Sequence, residues 1–145
     1  MTDYVSDAAG NRPSATVTGF GQLTVNRGTF TVATALANAD TVALCKLPAG
    51  HIPVDFILDM DDVDDATGIV IDVGVLGTDS DAFIAASTVG QAGGLARMDE
   101  RAGLRLAPTD ADRLVGITVT TGPGTGSTGG VITGTLLSRA AGLDD

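Results

Sequence analysis

Cys45 and His51 stand close together in the sequence, on either side of the turn-like stretch "LPAG". A thiol and an imidazole can act as nucleophile and base. That chemistry also needs a third group to orient the imidazole and donors for the oxyanion. Nothing around either residue marks such groups. Cys45 falls in the strand-like run "TVALCKL", where the expectation is a small, buried apolar side chain. His51 lies beside the turn and is expected to be solvated. As the single cysteine, Cys45 can form no intrachain disulfide, which fits a reducing compartment.

The carboxylates are the next candidates. Asp59, Asp61, Asp62, Asp64 and Asp65 crowd into one stretch, and their oxygens suit a hard cation such as Ca²⁺. The EF-hand order is missing: no glycine holds its sixth position and no glutamate closes it. The expectation is an acidic, solvated loop without metal, these five residues being the candidates should a cation bind. Asp79 and Asp81 read as turn and helix-cap residues. Asp110, Asp112 and Arg113 in "PTDADRL" read as a turn with a local ion pair, a contribution of about 0–1 kcal/mol. Paired carboxylates could also serve glycoside hydrolysis. With one tyrosine and no tryptophan, the chain lacks the aromatic platforms usual in sugar clefts. No enzyme and no cofactor are expected.

In "TGPGTGSTGG", residues 121 to 130, Gly124, Gly126 and Gly129 satisfy the spacing G-x-G-x-x-G. A dinucleotide fingerprint needs a strand before it and a helix after, because the helix N-terminus binds the pyrophosphate. Here "GITVTT" precedes and "GGVITGTLL", rich in β-branched residues, follows. No lysine stands where a Walker loop requires one. The expectation is a mobile connection between two antiparallel strands, with its tip exposed.

The elements around these residues have a period of two. "HIPVDFILDM" alternates most cleanly, with Ile52, Val54, Phe56, Leu58 and Met60 on one side; Pro53 suggests a strand start or an edge. "GTFTVATAL", "TVALCKL", "IVIDVGVL", "RLVGITVTT" and "VITGTLLSR" read as further strands. Short strands are expected around 95–98 and 104–106, and one short helix in "DAFIAAST". About eight short strands and little helix argue an all-β, single-domain β-sandwich, jelly-roll-like. The domain is placed at 28–140. Residues 1–27 are expected to form an extended N-terminal arm, with one short strand near Thr16 to Phe20, and 141–145 a short polar tail.

A chain of 145 residues fits one domain and buries enough surface to fold without staples. Its hydrophobic share of 43% is that of a globular protein, and an aromatic share of 3% leaves the core to Val, Ile, Leu and Ala. A net charge of -10 opposes nucleic acid and anionic lipid. The N-terminus lacks the basic start and apolar run of a signal peptide, and no run is long enough to span a membrane.

"KLPAGHIPVDFILDMDD", "GIVIDVGVLGTDSDAFIAAST" and "DADRLVGITVTTGPGTGSTGGVITGTLLSR", in that order, resemble the small capsid-associated proteins of tailed bacteriophages. A strand ends in L-P-x-G, an alternating strand follows, then a D-x-D-x-F-I-A-A segment and a glycine-rich final hairpin. The similarity spans about 40 to 139 and leaves the arm uncovered. It implies a head decoration, or cement, protein: β-rich, made in the host cytoplasm, bound to the outer surface of the virion head. Its partners would be the major capsid protein and, in a homotrimer, neighbouring copies. Nucleic acid and membrane are not expected as partners. Contact candidates are Tyr4, Val5, Arg12, Pro13, Phe20, Arg27, Arg97 and Arg101. The alternative is a β-sandwich binding module of a tail fibre or adhesin that recognises a host-surface ligand.

Overall fold

The computed structural model describes residues 1–10 and 22–141. The strands are β1 (Asp3–Val5), β2 (Leu23–Thr31), β3 (Thr41–Leu47), β4 (His51–Met60), β5 (Val70–Val75), β6 (Asp79–Ser87), β7 (Gly94–Arg97), β8 (Arg113–Thr121) and β9 (Val131–Ala140). Two single-turn helices accompany them, α1 (Asp7–Gly10) and α2 (Arg101–Leu104). The sheets run β1-β3-β8-β5-β6 and β2-β9-β4-β7. From β2 onward the chain changes sheet at every connection except β5 to β6. This alternation is the order of a jelly roll, so the all-β sandwich read from the strand pattern holds. β1 is an additional strand, parallel to β3.

Alternation gives each strand one packed face, and the two sheets bury those faces against each other. Phe56 from one sheet and Phe83 from the other stack with centroids 5.7 Å apart. Leu44, Leu58, Ile71, Ile117, Ile132 and Leu136 are fully buried with them. In β4 the register against β9 shifts between Pro53 and Asp55. A bulge there inverts the alternation. His51 and Pro53 face inward before it, Phe56, Leu58 and Met60 after it, and Val54 is exposed. The single alternating face expected from Ile52 to Met60 is thus broken in two. β7 pairs only with Ile57 to Met60, so Pro53 stands where β4 has β9 alone beside it.

One close approach requires glycine. Gly28 of β2 pairs with Gly134 of β9, beneath the bulged residue Leu44 of β3. A Cβ on Gly28 would lie 1.7 Å from the Leu44 carbonyl oxygen, and one on Gly134 would lie 2.9 Å from Leu44 Cδ1. The missing side chains let β3 settle onto the opposite sheet.

Several elements differ from the sequence expectation. In "DAFIAAST", Asp81 to Ser87 belong to strand β6 rather than to a helix. Its alanines favour helix, but Ala82, Phe83 and Ile84 are buried in succession, and β5–β6 pairing with two register shifts overrides the weak local preference. The expected strand at 104–106 is instead the end of α2 and the loop after it. Gly103 packs there so tightly that a Cβ would meet Met98 Sδ and Phe83 Cδ1 at 2.6 Å. β2 ends at Thr31, although Val32 and Leu36 remain buried beyond it. β8 and β9 lie in different sheets, so the glycine-rich stretch joins the two layers and closes no hairpin.

Residues 3–5 and 23–27, read as arm, are strand. Tyr4 packs on Phe30 at 5.3 Å, and Ser6 Oγ donates to the Leu44 carbonyl at 2.6 Å. The boundary drawn at 27/28 falls inside β2. The strand expected near Thr16 to Phe20 and residues 142–145 lie outside the described residues.

Candidate functional site

The two stretches that suggested ligand chemistry, the acidic loop and the glycine run, are bound to each other. Asp64 is buried between them. Its carboxylate accepts N–H bonds from Ala66 at 3.0 Å, Thr125 at 3.1 Å and Ile69 at 2.6 Å, and a further one from Gly68. Asp65 N–H donates to the Thr125 carbonyl at 2.9 Å, and Ser127 N–H to the Val63 carbonyl at 3.1 Å. A Cβ on Gly68 would lie 2.8 Å from the Gly124 nitrogen. Burial alone raises the Asp64 carboxyl. The backbone bonds outweigh it and hold the group well below the usual carboxylate range.

The neighbouring aspartates have comparable duties. Asp61 accepts the Val131 N–H at 2.8 Å and Asp62 accepts the Asp64 N–H at 2.9 Å. Asp59 and Asp65 are exposed. Among the described residues no three His, Cys, Asp or Glu side chains are grouped to hold a metal ion. The loop is solvated as expected at Asp59, Asp61, Asp62 and Asp65, and Asp64 and Asp61 in addition pin it to the crossover between the sheets. The glycine connection keeps its exposed tip at Thr128 and Gly129, while Thr125 and Ser127 are tied to that loop.

Cys45 is fully buried. Its thiol donates to the carbonyls of Asn26 and Gly134, each at 3.2 Å, and burial pushes it up to about 12. This is a packed, protonated thiol, as expected from its strand. His51 departs from expectation: it is buried, not solvated, with Nδ1 3.1 Å from Ser138 Oγ. The bulge in β4 turns it inward. Burial lowers its pKa, against a smaller opposing effect of Asp112. Thiol and imidazole therefore hold separate partners, Asn26 and Gly134 for the one and Ser138 for the other.

Asp79 and Asp81 sit in β6 rather than at a helix cap. The hydrogen bond with Asp81, then burial and the charge of Asp81, raise the Asp79 carboxyl. In "PTDADRL", Asp112 accepts the Ala49 N–H at 2.9 Å, and Arg113 donates to the His51 carbonyl at 3.3 Å. Both anchor the "LPAG" turn to β8.

The contact candidates are spread over the surface. Tyr4 is half-buried on Phe30, while Val5 is exposed at the outer edge of β1. Arg27 projects from β2, Arg97 from β7 bonded to Asp55, and Arg101 stands exposed on α2. Arg12, Pro13 and Phe20 lie outside the described residues. Tyr4, Val5, Arg27 and Arg97 belong to two apolar surfaces whose other aliphatic members the sequence did not single out. One is a trough of about 340 Å³ beside β1, lined by Met1, Tyr4, Val5, Leu76 and Leu114. The other is the outer face of the four-stranded sheet, with exposed Leu23, Val25 and Leu95. The signal is the alternation of Leu23, Val25 and Arg27, which an extended-arm reading of the segment hides.

No family model and no curated protein matches the chain. Solved structures do. A chain in the capsid of Ralstonia phage GP4 superposes with a TM-score of 0.88 at 32% identity, covering 97% of this chain and 99% of that one. A chain in the capsid asymmetric unit of cyanophage Pam1 superposes at 0.69 and 30% identity, covering 90% and 95%. A chain in the acidic stable capsid structure of Helicobacter pylori bacteriophage KHP30, at 0.55 and 12% identity over 85% and 92%, shares the fold. With this identity sustained over nearly the full length of both chains, the protein belongs to the bacteriophage capsid structural proteins represented by those of GP4 and Pam1.

Proposed function

We propose that this protein decorates the outer surface of the phage head and stabilises the shell by clamping major capsid protein subunits. The observation that carries the reading is the end-to-end likeness to a chain of the Ralstonia phage GP4 capsid. The site geometry supports it. Asp61, Asp62 and Asp64 accept backbone N–H groups that hold loops, Cys45 is a packed thiol, and His51 is a buried structural imidazole. Copies associate as trimers on the shell, and exposed Val5, Arg27, Arg97 and Arg101 supply contacts. Many equivalent copies on a symmetric surface add avidity without strong single contacts.

Co-sedimentation with heads lacking this protein, before and after head expansion, tests the reading. Saturable binding at a fixed ratio to the major capsid protein is the expected result. Absence of binding to either form would sink it and favour a module of the tail or of an adhesin.

A further inference from the structure

We propose that the outer face of the four-stranded sheet β2-β9-β4-β7 is the docking face, and that it takes an apolar, carboxylate-bordered surface of the head shell. The inference rests on the decoration reading and adds where that contact is made.

The register defines the face row by row. Leu23 lies beside Arg139 and Ile52, and Val25 beside Leu137 and Asp55. Arg27 follows with Thr135, Ile57 and Arg97, then Thr29 with Thr133, Asp59 and Leu95. Outward positions of an antiparallel sheet are ordinarily polar. Here Leu95 is 73% exposed, Val25 59% and Leu23 56%, with Ile52, Ile57 and Leu137 half-buried between them. These aliphatic side chains add little to the core on the other side of the sheet. Exposed aliphatic side chains gathered on one sheet face mark an interaction surface.

The charges narrow the partner. In a chain with eight basic residues and a net charge of -10, Arg27, Arg97 and Arg139 all project from this face. Asp55 and Asp59 share the face, with Arg97 paired to Asp55, so three arginines stand against two aspartates in a strongly acidic chain, whereas β5 and β6 of the other sheet carry Asp72, Asp79 and Asp81 with no basic residue. Aliphatic area interspersed with arginine is the composition of a protein interface, and its charge complement is acidic.

Binding of Arg27→Glu and Leu95→Glu to heads lacking the protein tests the proposal, with Ala85→Glu on the exposed side of β6 as control. Each face variant is expected to bind at least about tenfold more weakly, the control like wild type. Added salt should weaken wild-type binding. Arg27→Gln and Leu95→Gln, with melting curves alongside, separate a lost contact from a lost fold. If wild type binds and the folded face variants bind equally well, the docking face lies elsewhere. A wild type that binds no heads removes the decoration reading itself. Self-association in solution that the face variants abolish would overturn the shell as occupant, in favour of a second copy.

Discussion

The Asp64 carboxylate accepts the backbone N–H of Thr125 at 3.1 Å across a separation of 61 residues. Through this bond the loop after β4 holds the connection that carries the chain from β8 in one sheet to β9 in the other. Asp64→Asn keeps the shape but turns an NH₂ group toward backbone donors, leaving buried N–H groups without acceptors. Its urea midpoint should fall well below that of wild type, whereas Asp59→Asn and Asp65→Asn, at exposed positions, stay near it. Equal midpoints for all three would refute the latch. Because the Asp64 carboxyl is lowered in the fold, its contribution is complete above the ordinary carboxylate value of about 3.9. It is lost only as pH falls through the folded value below that.

His51 adds a second pH dependence in a higher window. Its folded pKa lies below the unfolded reference of 6.5. The unfolded chain therefore binds more protons, and stability rises with pH across the interval. The contribution is present above about 6.5 and drains away as pH falls through the folded value. Stability measured by denaturant titration at stepped pH should decline on mild acidification in wild type. In His51→Gln the same interval should be flatter. A wild-type profile that improves on mild acidification would contradict the buried, neutral imidazole.

Much of the architecture was legible in the sequence because sheet packing writes a period of two. The alternation of Phe56, Leu58 and Met60 gave the inner face of β4, and the β-branched flanks of the glycine run excluded a phosphate cradle. What escaped was set by partners distant in sequence. The bulge at Val54 turns His51 inward, and it follows from how β4 fits β9. Ala82 to Ile84 become strand because β5 offers them a ladder. Leu23 to Arg27 looked like arm because their pairing strand, β9, lies more than a hundred residues on. The aspartates of the acidic loop were visible as a cluster. Their use as backbone acceptors was not, because it depends on the crossover lying against them.

The Gly28–Gly134 pair makes a prediction that composition would not suggest. Gly28→Ala places a methyl group against the Leu44 carbonyl, and backbone on both sides cannot yield cheaply. The variant should lose at least ~3 kcal/mol, the upper end of ordinary overpacking, or fail to accumulate as soluble protein. Gly129→Ala is a comparison without a nearby atom, although its positive φ of 88° adds local strain. Thermal melts of the two distinguish collision from backbone conformation: a milder loss for Gly28→Ala than for Gly129→Ala would show that β3 can retreat.

Cys45 offers a direct readout of opening. A thiol pushed up to about 12 and enclosed between β2, β3 and β9 has almost no thiolate at mildly alkaline pH. In the native protein it should resist alkylation, and it should react at the rate of a free thiol in denaturant. Partial labelling under native conditions would then follow the population of the opened sandwich. Rapid, complete labelling of the native protein would contradict the packing described.

The N-terminal ten residues distinguish a free arm from a structural strand. Removing residues 1–10 strips β1 from β3, the Ser6 bond from the Leu44 carbonyl and the Tyr4 ring from Phe30. Summing one buried hydrogen bond, one aromatic pair and the strand contacts gives a loss on the order of 3 kcal/mol. The melting temperature should drop accordingly, and the apolar wall of Leu76 and Leu114 should become open to a hydrophobic dye. A detachable arm would behave otherwise: truncation would leave the melt unchanged and alter only binding to heads. Measuring both properties on the one truncated protein separates the strand's role in the fold from any role at the shell, because binding at temperatures well below the lowered melt reports the contact alone.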